Sequence, residues 1–131
     1  MFRRLSLPLA AAGLLMLASQ PLLAADAAKE IATAGAHAGM AAASSDLKMI
    51  HAHMQHVLNC LQGPGGADYD ANQLNPCKDQ GMGAIPDSQG HAKMQLEAAV
   101  PLAKAGLAEP DVAKAKEHAA ATQAAIGKAG M

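Results

Sequence analysis

Residues Ser44 to Pro64 read SSDLKMIHAHMQHVLNCLQGP, and this stretch contains a helix together with the signals for both of its ends. Ser44, Ser45 and Asp46 have side-chain oxygens that can accept the free N–H groups of a first helical turn, and Gly63-Pro64 is a stop. Between them Leu47, Ile50, Met54, Val57, Leu58 and Leu61 recur at intervals of three and four, which gathers them on one face. The spacing predicts an amphipathic helix from Leu47 to about Gln62, with that face in a core.

The flanks read in the same way. Asp26 to Ala43 is Ala-rich but carries Gly35 and Gly39, so it reads as a helix that is expected to be loosely packed. Gly63 to Pro86 concentrates Gly, Pro, Asn and Asp and reads as a long irregular loop, of a length that is usually functional or fastened. Asp87-Ser88 is expected to cap a third helix reaching about Leu107, kinked at Pro101, with Leu96, Val100, Ala103 and Leu107 in the core. Pro110 suits the first turn of a last helix that ends near Gly127 and buries Val112, Ala115, Ala119 and Ile126. The expectation is an all-α fold: a small helical bundle of three to four helices forming one domain over 25–131, with the irregular loop at 63–86.

Composition says what such a bundle lacks. Ala occupies 33 of the 131 positions, and beyond Ala24 there are only fourteen Val, Ile and Leu and no Phe. A core so thin needs an additional tie. Cys60 and Cys77 are the only cysteines, and in an exported chain an even count reads first as a disulfide. Closing a loop of about 15 residues contributes ~3 kcal/mol through lost chain entropy in the unfolded state. The alternative, a thiolate metal site, requires both to stay reduced. The absence of Trp, with one Tyr and one Phe, excludes an aromatic base-stacking platform, and a net charge of −1 argues against electrostatic binding of nucleic acid.

Export is the reading of residues 1–24, MFRRLSLPLAAAGLLMLASQPLLA, in which Arg3 and Arg4 precede an apolar run and then small residues. The run is broken by Pro8 and Pro21 and is short for a membrane span of ~20 residues. Cleavage after Ala24 removes two of the ten basic residues and none of the eleven acidic ones, leaving a periplasmic or secreted product of charge −3 with no membrane span.

The chemistry lies on a second face of the Leu47–Gln62 helix. At ~100° per residue Met49, His53, His56 and Cys60 fall in a strip ~60° wide, beside the apolar stripe, while His51 points elsewhere. His53 and His56, three apart, can share a metal, and with the Met49 thioether they suit copper or another soft or borderline ion, for carriage or sequestration. A fourth ligand would come from His37, Met40, Met82 or His91, with Asp46 or Asn59 as orienting partners. The plain alternative is that Met fills gaps and His is an ordinary surface residue. No H-E-x-x-H, C-x-x-C, C-x-x-C-H or G-x-S-x-G motif occurs, and Gly63-Pro64-Gly65-Gly66 lacks the Lys of a phosphate loop, so a binder is expected rather than an enzyme. The second reading is a non-catalytic interaction protein that meets an unidentified periplasmic protein through the Cys60–Cys77 loop.

The segment His53-Met54-Gln55-His56-Val57-Leu58-Asn59-Cys60-Leu61, with Gly63-Pro64-Gly65-Gly66 and Asn75-Pro76-Cys77, resembles small exported bacterial helical proteins. That resemblance covers the middle third of the mature chain and implies export, helices and paired cysteines, but no activity. In architecture the chain also looks like the soluble periplasmic four-helix-bundle cytochromes b. This likeness implies a third reading, non-covalent haem held between Met40 or Met49 and His118, which the scarcity of aromatic residues disfavours.

Overall fold

The protein is described by a computed structural model over residues 25–131, and the signal peptide assigned to 1–24 lies outside the described residues. Three of its four helices begin at an aspartate whose carboxylate accepts an N–H of the first turn. Asp26 accepts from Lys29 at the start of α1 (Ala27–Ala43), Asp46 from Met49 at α2 (Leu47–Gln62), and Asp111 from Lys114 at α4 (Val112–Ala129). The third, α3 (Gly90–Ala108), starts later than expected, after Gln89 and without a side-chain cap. Asp87 is committed elsewhere, because its Oδ2 accepts the Met82 N–H at 2.6 Å within the loop. Pro110 likewise precedes the capping Asp111 rather than occupying the first turn, and α3 continues through the exposed Pro101.

Each helix packs on the next in chain order and α4 returns to α1, so the four form a closed ring. Neighbours run antiparallel: Gly35 and Gly39 in the middle of α1 lie against Ile126 and Gln123 near the end of α4, and Gly106 near the end of α3 lies against His118 of α4 and Met54 of α2. The fold is the expected all-α bundle, up-down-up-down, fastened by a disulfide between Cys60 and Cys77 whose Cα atoms are 5.0 Å apart. Among the described residues no helix is long and apolar enough to cross a membrane.

The core is unevenly shared. From α2 come Ile50, Met54, Val57, Leu58 and Leu61, all buried, whereas α1 contributes Ala34, Ala38 and Ala41. The first helix is therefore packed rather than loose, with Gly35 and Gly39 on its α4 side, where a methyl on Gly35 would touch Ile126 at 3.6 Å. On α3 the buried set is Leu96, Ala99, Ala103 and Gly106, and on α4 it is Ala115, Ala119, Thr122, Ile126 and Ala129. Val100, Leu107 and Val112, expected inside, are only half-buried. Helices that meet through Ala and Gly come close, and their larger side chains move to the flanks of the contact.

The long loop is held by a third face of α2. Gln55, Asn59 and Gln62 follow at four and three residues, and each reaches the segment Asp68–Leu74. Asn59 is fully buried; its Nδ2 donates to the carbonyls of Asp70 (2.9 Å) and Leu74 (3.1 Å), and its Oδ1 accepts from Asp70 N (2.9 Å) and Gln55 Nε2 (3.1 Å). Gln55 also donates to the Asp68 carbonyl, while Gln62 both accepts from Asp68 N and donates to its carboxylate, which Lys104 pairs at 2.7 Å. Beyond the disulfide, Ala84 N and Ile85 N donate to the carbonyls of Cys60 and Leu61. Gly63 ends the helix at φ 66, where a side chain would collide with the Met82 carbonyl. Replacing Asn59 with Ala removes one amide and strands several buried loop groups, so urea unfolding should show a loss of about 3 kcal/mol. Gln73→Ala, at an exposed position of the same loop, should stay within about 0.5 kcal/mol of the parent.

Candidate metal centre

The connection between α1 and α2 is three residues long, and its hydrogen bonds set the register of the two helices. Ser44 N donates to the carbonyls of Met40 and Ala41, closing α1, and Ser44 Oγ accepts Asp46 N at 3.1 Å as Asp46 caps α2. The antiparallel pairing places His37 of α1 opposite His53 of α2, and Glu30, two turns earlier on α1, beside Cys60. His56, one turn on from His53, completes a triangle: the ring centroids are 5.4 Å apart for His37–His53, 5.3 Å for His37–His56 and 5.6 Å for His53–His56.

One nitrogen from each of the three rings lies within 4.8 Å of the others, and all three residues are half-buried. The Nδ1 atoms of His37 and His53 are 3.2 Å apart. A tetrahedral ion with metal–nitrogen bonds of about 2.0–2.1 Å holds adjacent nitrogens about 3.3 Å apart, so this pair already has the separation of two ligands on one ion. His56 Nδ1 is buried and has no hydrogen-bond partner among the described residues. Three imidazoles leave one position open on a four-coordinate ion. This cluster can hold a metal ion.

Electrostatics favour the ligating form. Burial, followed by the charges His56 and His53 would carry, lowers the His37 value from 6.5 to about 4; burial and then His53 lower that of His56. At neutral pH His37 is an uncharged imidazole, the form that binds metal.

The remaining candidates sort by position. Met49 lies one turn before His53, 48% exposed, and Met40 one turn after His37, 43% exposed. Met82 is exposed on the loop and His91 at the start of α3. His51 turns towards α3 and donates from Nε2 to the Glu109 carbonyl at 2.8 Å. The two proposed orienting partners are occupied, Asp46 as a helix cap and Asn59 with the loop. His118 sits on the seam of α3 and α4, where a methyl on Gly106 would meet its Cβ at 3.1 Å, across the bundle from the seam carrying Met40 and Met49; the structure does not bring a Met–His haem pair together. Cys60 is in the disulfide and is not a ligand.

Sequence reading did not single out Glu30. It is fully buried beside the disulfide; its Oε1 accepts Gly83 N at 3.0 Å, and its Oε2 has no hydrogen-bond partner among the described residues. Burial raises its value from 4.5 to about 7, against the lowering effect of the Gly83 bond, with Asp87 and Asp26 adding to the rise. The two sites oppose each other in pH. Neutral His37 contributes stability that is complete above about 6.5 and declines as pH falls towards 4, whereas protonated Glu30 contributes stability that is complete below 4.5 and declines as pH rises through 7. Thermal melts of the metal-free Glu30→Gln protein should therefore show stability rising steadily from pH 4 to 7, and those of His37→Leu should show it falling as pH rises over the same range. Profiles in both variants that match the parent would contradict the assignment.

Comparison with protein-family models, with curated proteins and with solved structures gives no match, so the case for a metal rests on the three imidazoles themselves.

Proposed function

We propose that this is an exported, non-catalytic, copper-binding bundle that holds the ion at His37, His53 and His56 for carriage or sequestration.

 The role is one of binding, not of catalysis. The observation that carries this reading is the triangle of three half-buried imidazoles whose nitrogens lie within 4.8 Å. Such a cluster is costly to bury without a use: three polar rings face one another, and His56 Nδ1 has nothing to bond. A bound ion would satisfy all three at once.

Ligand chemistry supports copper. Imidazole accepts Cu(II), Zn or Ni, whereas a neighbouring thioether, here Met49 on the same strip of α2, favours the softer Cu(I). The open coordination position suits an ion that is to be handed on, since sites with a structural role are usually closed by protein ligands. The disulfide and the Arg3-Arg4 leader support an oxidising compartment, the periplasm, as the place of work.

The test is titration of the mature, oxidised, untagged protein with Cu(I), Cu(II) and Zn. We expect about one equivalent of copper to bind, with affinity reduced at least about 100-fold in His37→Ala and in the His53→Ala, His56→Ala double variant. Equal binding by the parent and by a variant lacking all three histidines would refute the proposal.

A further inference from the structure

Large apolar side chains are scarce in this chain, yet several stand in solvent, and nearly all of these are methionines. Among the described residues the exposed large hydrophobics are Met40, Met49, Met82, Met94 and Met131, with Leu74 the one exception. Two of them share a place. His37 faces His53 across the antiparallel seam of α1 and α2; three residues forward on α1 and four back on α2, one turn from that pair on each helix, stand Met40 and Met49. Both lie one helical turn nearer the Ser44–Asp46 connection than the histidines. Their exposures are nearly the same, 43% and 48%.

From the connection inwards, the seam thus presents a pair of exposed thioethers and then three half-buried imidazoles. Below these come Glu30 and the disulfide, both buried. Among the described residues no carboxylate joins the histidine cluster. Asp46, the acid nearest in sequence to Met49, accepts the Met49 N–H as a helix cap. The outer pair is therefore soft in donor character, and the inner cluster is borderline.

We infer that Met40 and Met49 form a solvent-facing capture site for a soft monovalent ion, Cu(I), at the mouth of the histidine cluster; this deepens the copper reading and rests on it. The ion is bound first by the two thioethers and then exchanges one ligand at a time for His37 and His53, with no change of oxidation state. Divalent ions, which thioethers bind poorly, reach the imidazoles without this step.

Silver(I), a monovalent soft ion that does not change oxidation state under these conditions, is the probe. In the full mature protein labelled at methionine methyl groups, addition of Ag(I) should shift the Met40 and Met49 resonances while those of Met82 and Met94 stay in place. The Met40→Leu, Met49→Leu double variant, altered only at exposed positions and at nearly constant volume, should melt as the parent does and bind Zn(II) equally well. Its affinity for Ag(I) should fall by about tenfold or more. Undiminished Ag(I) binding in that variant, together with loss in His37→Ala, would overturn the capture site and leave the histidine centre standing. Failure of the parent to bind Ag(I), Cu(II) and Zn(II) alike would overturn both.

Discussion

The amide of Asn59 is the interaction on which the molecule depends. It lies fully buried on α2 and bonds to the loop backbone at Asp70 and Leu74, so that a segment with no regular structure of its own acquires a fixed path. The adjacent Cys60 ties that path to Cys77, and the carbonyls of Cys60 and Leu61 receive the strand of loop that leads to α3. Without this clasp the second half of the bundle would be joined to the first by a long free chain. The loop-closure entropy would then oppose the meeting of α2 and α3.

One helix thus serves three neighbours. Its apolar side supplies most of the bulky core, its amides hold the loop, and its histidines meet α1. The division follows from the period of the helix, which keeps residues at three and four apart on a common face and separates the faces from one another. The cluster of His37, His53 and His56 is accordingly held by elements packed for other reasons, which lets three polar rings remain close without a carboxylate among them.

Much of α2 is legible in its own residues: the Asp46 cap, the apolar stripe, the Gly63 stop and the adjacency of His53 and His56 all come from local spacing. His37 is legible only as one of several candidates, because what selects it is the register between two helices, and register depends on the Ser44–Asp46 connection and on Ala faces that carry little pattern. The start of α3 is misread for a related reason. Asp87 is a good capping residue, but the folded loop brings Met82 N to it first. Glu30 looks like an ordinary first-turn acid until Gly83 and the disulfide close over it. In each case the missing information is a contact between segments distant in sequence.

The Ala and Gly seams of α1, α3 and α4 have a thermodynamic consequence. An alanine gives up no rotamer freedom when it is buried, so these contacts order the chain at little side-chain entropy cost, but each also removes little apolar surface from water. The rise in heat capacity on unfolding and the sensitivity to denaturant both scale with that surface. This bundle is therefore suited to a stability that changes gently with temperature.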